Sequence, residues 1–319
     1  MRITTRALAA AGLAVAFLIG AAHTPRAVAG ELPGATRFFN DPDSLVNKWV
    51  AANPGDSRQP RIASRIAGQP QALWFSRYSP ATVTADVRKV TSAASAKGQT
   101  PVLVSYQIPN RDCGGASAGG APDLASYDAW VRAFAAGLGS GPAIVILEPD
   151  SIALISCLSS AELSGRYASL ARAATAIHGA NPNARVYFDA GHSAWNSAAV
   201  QASRLRSAGV LTSGDGIYSN VSSFRRTADE VAFTKSVLGR LGTSSGLTAV
   251  IDTSRNGNGP APDNTWCDPH GRKVGENPTA NTGDPAIDAY LWIKPPGELD
   301  GCAGAAGTFS PDYAYELAG

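Results

Sequence analysis

Apolar residues in this chain come in short runs that stop abruptly at acids. The sharpest is AIVIL, residues 143–147, followed at once by Glu148 and Asp150. A continuous apolar run of this length, cut off by charge, reads as a strand buried on both faces. Comparable runs stand at 73–75, 102–108, 185–188, 216–218, 247–251 and 289–293. Helical patterns fill most of the gaps between them. Residues 82–97 close on Gly98 and residues 123–138 close on Gly139, both at positions where a helix turns left-handed. Residues 161–177 open with Ser159-x-x-Glu162, a capping box, and residues 194–207 end before Gly209. A further helix follows Thr227-x-x-Glu230 and runs to Leu241 and Gly242. Seven strands separated mainly by helices predict a parallel sheet, and the absence of a linker favours one closed barrel over two open sheets.

The strand ends carry the chemistry. The second run leads into Tyr106 and then Asn110-Arg111-Asp112, and the third ends at Glu148 and Asp150. The fourth ends at Asp189 with His192 close behind, and the fifth at Asn220. The sixth ends at Asp252 with Arg255 and Asn256 following, and the seventh at Lys294, Glu298 and Asp300. A merely solvated rim would mix its charges, whereas acids dominate here. Carboxylates crowded into one cleft repel each other, so some keep a proton while others ionise. Glycoside hydrolysis needs such a division, one acid to protonate the leaving oxygen and one carboxylate to handle water. Trp74, Trp195 and Trp266 lie near strand ends, where an indole face can stack on a sugar ring; Trp292 reads as core.

Composition trims the alternatives. Charged residues make up 16% of the 319 residues, with no acidic or basic block, so nothing points to nucleic acid. Arg2 and Arg6 precede an apolar run from Ala7 to Ala22, then Ala27-Val28-Ala29, the pattern of a cleaved signal peptide over residues 1–29. The mature protein is then secreted, spans 30–319 as one domain and has no membrane partner. Loss of Arg2, Arg6 and Arg26, with no acid, moves the net charge from +2 to −1. Only four His are present, with His23 in the leader and His178 on a helix. Asp189-x-x-His192 could ligate a metal, but that is too little for a metal hydrolase, and no cofactor is expected. No G-x-S-x-G elbow stands in a strand–helix context, and the loop at 257–262 lacks the Lys and helix of a P-loop. Cys113, Cys157, Cys267 and Cys302 in an exported chain favour two disulfides, in one of three connectivities.

Six ordered motifs now carry a resemblance. YQIPNRDCGG (106–115), IVILEPDS (144–151), YFDAGHSAW (187–195), IDTSRNGNGP (251–260), WCDP (266–269) and WIKPPGELDG (292–301) together resemble glycoside hydrolase family 6, across essentially the whole mature chain. The resemblance implies a distorted seven-stranded parallel (β/α) barrel. It also implies a cellulase that cuts β-1,4-glucosidic bonds with inversion and without a cofactor. It makes Asp150 the general acid and Asp112 the carboxylate that keeps it protonated and organises water. Tyr106 would lie under the distorted sugar, and Asp300 would be the base, with a water relay through Ser117 to Asp112 as the competing proposal. Trp74, Asp189, His192, Trp195, Asn220, Trp266, Lys294 and Glu298 become sugar-binding positions. The pairings Cys113–Cys157 and Cys267–Cys302 follow in part from the same likeness. Only eighteen residues follow Gly301, which leaves no room for the tunnel-enclosing insertion of the exo-acting forms. A monomeric endoglucanase without an appended carbohydrate-binding module is therefore expected. A cellobiohydrolase or a catalytically inactive glucan-binding barrel are the alternatives, and cellulose is not distinguished from mixed-linkage glucan.

Overall fold

The computed structural model describes Met1, residues 32–242 and residues 245–319. The expected signal peptide, Met1 apart, lies outside the described residues. Among the described residues no helix is long and apolar enough to cross a membrane.

Seven parallel strands form one sheet in sequential order: β1 Leu73–Phe75, β2 Val102–Ser105, β3 Ala143–Leu147, β4 Ala184–Asp189, β5 Gly216–Ser219, β6 Thr248–Asp252 and β7 Ile287–Leu291. The sheet curls until its first and last edges meet. There the Ala72 N–H donates to the Trp292 carbonyl at 2.9 Å, and Trp74 Nε1 donates to the Ile293 carbonyl at 2.7 Å. The distorted seven-stranded barrel expected from the sequence is the observed architecture.

The alternation of side chains across each strand makes two cores. Val102, Val104, Ile144, Ile146, Tyr187, Tyr218, Val250 and Leu291 fill the barrel interior. Leu103, Val145, Leu147, Val186, Phe188, Ile217 and Ile251 face outward, against Trp130, Phe134, Leu170 and Val237 of the helical layer. That layer comprises α3 Val83–Ala96, α4 Leu124–Ala136, α5 Ser160–Ala180, α6 Ala198–Ser207 and α8 Thr227–Leu241. Short α1 Leu45–Ala52, α2 Gln59–Ile62, α7 Val210–Ser213 and α9 Pro311–Leu317 were not foreshadowed by the sequence pattern. Trp292 is core, as expected, in a third cluster with Val46, Ile66 and Leu317.

Several boundaries differ from expectation, and for three elements the local reason is plain. The second strand stops at Ser105 instead of residue 108, because the Gln107 and Ile108 N–H groups bond the Glu148 carboxylate. The seventh spans 287–291 instead of 289–293, because the Ile293 and Lys294 N–H groups bond the Asp252 carboxylate. The sixth helix starts at Ala198 instead of Ala194, after Ser197, whose hydroxyl accepts from the Val200 N–H. The Ser159–Glu162 capping box is present in both directions. The look-alike Thr227-x-x-Glu230 is not one: Glu230 instead accepts the Ser193 N–H at 2.9 Å.

Candidate active site

After β3 the chain makes a tight turn around Pro149. Glu148 and Asp150 flank it, both in left-handed backbone conformations (φ 48° and 68°), and the Ser151 N–H closes the turn onto the Glu148 carbonyl at 3.1 Å. Non-glycine residues adopt this conformation at a cost of order 1–3 kcal/mol each unless their surroundings hold it. The turn sends the two carboxylates to different places. Glu148 is fully buried, with Oε2 accepting the N–H groups of Gln107 (2.7 Å) and Ile108 (2.8 Å). Asp150 is half-buried on the wall of the cleft.

The clamp made by Glu148 recurs around the rim. Asp189 Oδ2 accepts the Ile152 and Ala153 N–H groups at 2.9 and 2.7 Å, and Oδ1 accepts Gly191 at 2.8 Å. Asp252 accepts the N–H groups of Ser254, Ile293 and Lys294. Asn220 donates to the carbonyls of Asp252 and Arg225 and accepts the Arg225 N–H. Backbone groups released where a strand ends need partners, and a buried carboxylate needs donors, so each solves the other's problem. Asp189 and Asn220, expected at sugar-binding positions, are 1% and 0% exposed and engaged with backbone; neither lines the central cleft.

That cleft encloses about 500 Å³ and runs between the loops after β1, β2, β3, β5, β6 and β7, beside the segment 40–45. Trp74, Tyr106, Asp112, Ser117, Asp150, Trp266, Lys294, Glu298 and Asp300 line it together. Asp112 and Cys113 sit in left-handed conformations on a glycine-rich loop, and Asp112 Oδ2 accepts the Ser117 N–H at 2.7 Å. The Cys113–Cys157 disulfide ties this loop to the segment following Asp150. Burial, then repulsion from Asp189 and Asp112, pushes the Asp150 carboxyl up to about 8. Tyr106 is buried against Trp74 in an edge-on contact with ring centres 5.3 Å apart, and the Arg111 guanidinium lies 4.6 Å from its ring centre. Arg111 also donates to the Ser117 carbonyl at 2.8 Å, binding the Asp112 loop to the Tyr106 platform.

The facing wall is built differently. Asp300 Oδ2 accepts from Arg255 Nη1 at 2.8 Å, and Oδ1 stands 3.2 Å from Lys294 Nζ. Burial alone would raise the Asp300 carboxyl, but the charges of Arg255 and Lys294 outweigh it and hold it below the ordinary range. Glu298, next to it, is raised to about 7 by burial, against the attraction of Lys294. Among the described residues no group of three or more His, Cys, Asp and Glu is arranged to hold a metal.

The profile of the family described as Glycosyl hydrolases family 6 matches residues 35–318. The chain belongs to glycosyl hydrolases family 6. Endoglucanase 1 of Streptomyces sp. (strain KSM-9) is 57% identical over 275 residues, covering 86% of this chain and 76% of that protein. Endoglucanase A of Thermobispora bispora is 51% identical over 315 residues, covering 98% of this chain and 69% of the other. The endoglucanase Cel6 from Mycobacterium tuberculosis, solved in complex with methyl-cellobiosyl-4-deoxy-4-thio-β-D-cellobioside, superposes with a TM-score of 0.82 at 40% identity. The likeness covers 91% of this chain and 97% of that one.

Two residues that family membership draws attention to lie outside the central cleft. His192 and Trp195 stand on the loop after β4, ring centres 5.4 Å apart, with Trp195 exposed. Burial and then the charge of Arg225 lower His192 to about 4, so it is a neutral ring at physiological pH. Gly191 makes the turn before it: φ is +66°, and a Cβ there would come within 2.9 Å of the Ala153 Cβ. Both disulfides have the expected connectivity, the second joining Cys267 to Cys302. Sequence reasoning gave no role to Arg255, Arg166 or Asp268. Arg255 was visible in the IDTSRNGNGP motif, but its ion pair with Asp300 joins residues 45 positions apart.

Proposed function

We propose that this family 6 hydrolase is a secreted endo-β-1,4-glucanase that cuts internal bonds of cellulose with inversion, with Asp150 as general acid. The observation that carries the reading is that Asp150 lines one cleft with Asp112, Tyr106 and Trp74, where burial and neighbouring carboxylates push its carboxyl up to about 8. A glucosyl ring over Tyr106 would present its glycosidic oxygen to Asp150. The acid gives its proton to that oxygen, the C1–O bond breaks, and water adds to C1 from the opposite face. The proton lost by the water passes through a relay at Ser117 to Asp112. Asp300 serves as a binding and orienting group, because an ion-paired carboxylate with a lowered pKa is a poor base. Lys294, Glu298, Trp74 and Trp266 bind sugar along the cleft, and the neutral His192 with Trp195 extends the surface on one side. Endo-cleavage is supported by the endoglucanase names of the relatives at 57% and 51% identity and by the exposed Trp266 at the cleft wall.

The test is viscosity loss measured against reducing ends on carboxymethylcellulose. Fast viscosity loss per bond cut is the expected result, while soluble cellobiose without viscosity loss overturns endo-action. Asp150→Asn is expected to abolish turnover while cello-oligosaccharide binding is kept; near-normal turnover would remove Asp150 from the role. NMR of the first product is expected to show the α-anomer.

A further inference from the structure

We propose that Glu148 and Arg166 are positioning residues that together set the distance between the Asp150 turn and the loop carrying Tyr106 and Asp112. The inference rests on the reading of Asp150 as general acid.

The two side chains grip one segment from two directions. Beyond Ser105 the chain has left the sheet, and residues 107–110 lead from the Tyr106 platform to Asp112. Glu148 takes the N–H groups of Gln107 and Ile108 at 2.7 and 2.8 Å. Arg166, reaching in from α5, donates Nη2 to the carbonyls of Pro109 (2.7 Å) and Asn110 (3.2 Å). Each also holds the Asp150 turn. Glu148 is its first residue, and Arg166 Nη1 donates to the Ser151 carbonyl at 3.4 Å. The carboxylate thus serves donors and the guanidinium serves acceptors in one four-residue stretch, and both groups are buried, 0% and 3% exposed.

Satisfying buried peptide groups is one role of this arrangement, and it does not by itself require two side chains that both also hold the Asp150 turn. The peptide groups of residues 107–110 could be satisfied by other side chains or by water. What directional bonds from two buried side chains add is a single geometry. That geometry matters here because proton donation to the leaving oxygen is steep in distance, and a misplacement of about 1 Å costs on the order of a hundredfold.

The experiment compares two substrates of one enzyme. Cellotetraose has a leaving group that needs protonation, whereas 2,4-dinitrophenyl β-cellobioside has one that departs without it. Glu148→Ala is expected to lower kcat on cellotetraose by about a hundredfold and on the aryl glycoside by less than about fivefold, with KM little changed. Glu148→Gln, whose amide oxygen can accept the same two N–H groups, is expected to recover most of the loss. Should Glu148→Ala fail to fold, Arg166→Lys carries the comparison: the charge remains but the fork that spans three carbonyls is gone, and the same leaving-group contrast is expected. Asp150→Asn is the reference. If the contrast is present in Asp150→Asn but absent from the soluble Glu148 or Arg166 variant, the inference falls alone. If it is absent from Asp150→Asn as well, the acid assignment falls and takes the inference with it.

Discussion

Asp268 and Asp300 hold each other by reciprocal hydrogen bonds. The Asp300 N–H donates to Asp268 Oδ1 at 2.6 Å, and the Asp268 N–H donates to Asp300 Oδ2 at 3.3 Å. Asp268 Oδ2 also accepts the N–H groups of Gly301, Cys302 and Ala303, so one carboxylate gathers four consecutive amides. The orientation of Asp300 toward Arg255 and Lys294 depends on that cradle. Asp268→Ala is expected to destabilise the fold by about 2–4 kcal/mol, since one buried and three part-buried N–H groups lose their acceptor together. Activity on carboxymethylcellulose should fall at least tenfold. Urea unfolding and kcat on the same preparation check both, and an unchanged kcat would separate the cradle from the chemistry.

The alkaline limb of the pH–rate profile follows from Asp150. With Asp150 as the proposed general acid, its acid form would be the active one, so kcat/KM is expected to fall about tenfold per pH unit above about 8. Asp112→Asn removes one of the negative neighbours that raise Asp150. Whatever it does to the rate, that variant should move the limb to lower pH, as measured on a soluble cello-oligosaccharide.

Glu148 links stability to pH in a definite direction. Burial raises its carboxyl from 4.5 to about 7, with the hydrogen bonds from Ile108 and Gln107 opposing. Its contribution is therefore complete below about 4.5 and is lost as pH rises through about 7. A shift of this size corresponds to about 3 kcal/mol. Glu148→Gln cannot ionise, so its stability relative to the parent should improve between pH 4.5 and 8. Urea unfolding across that range checks the sign, and a flat difference would contradict it.

The Cys113–Cys157 bridge closes a span of 44 residues between the Asp112 loop and the segment beyond Asp150. Replacing both cysteines by Ser is expected to lower stability by about 4 kcal/mol, from the entropy the bridge removes from the unfolded chain. Activity should decline at temperatures where far-UV circular dichroism still reports a folded barrel, because the Asp112 loop is freed before the sheet melts.

Features governed by local pattern were the legible ones. Ala143–Leu147 is the third strand residue for residue, since an unbroken apolar run bounded by an acid leaves no other reading. The Ser159–Glu162 capping box was equally plain, because both partners lie within one turn. The central cleft likewise gathers Asp150, Asp112, Tyr106 and Asp300, the residues the motifs had singled out. What escaped was the use of rim acids as backbone clamps. The partners of Glu148, Asp189 and Asp252 are mostly peptide N–H groups on neighbouring loops, and a peptide group has no sequence signature. Strands 2 and 7 were misjudged at their ends for that reason. Arg166 was hidden differently: on α5 it is spelled like any solvated helix arginine, yet it is buried. Glu230 shows the limit of spelling, for the same signature that caps α5 is diverted to the loop of His192.

Trp74 does two jobs at one place. Its indole N–H is one of the bonds that join the first and last strands, while its ring stands edge-on to Tyr106 at the cleft. On the proposed reading, a glucose unit resting on that ring would lean on the joint of the barrel. Occupancy of the cleft and closure of the sheet would then be thermodynamically coupled, each strengthening the other. On the proposed reading, a bound cello-oligosaccharide should slow hydrogen exchange at the Ala72 amide, a buried group whose bond to the Trp292 carbonyl is part of that joint.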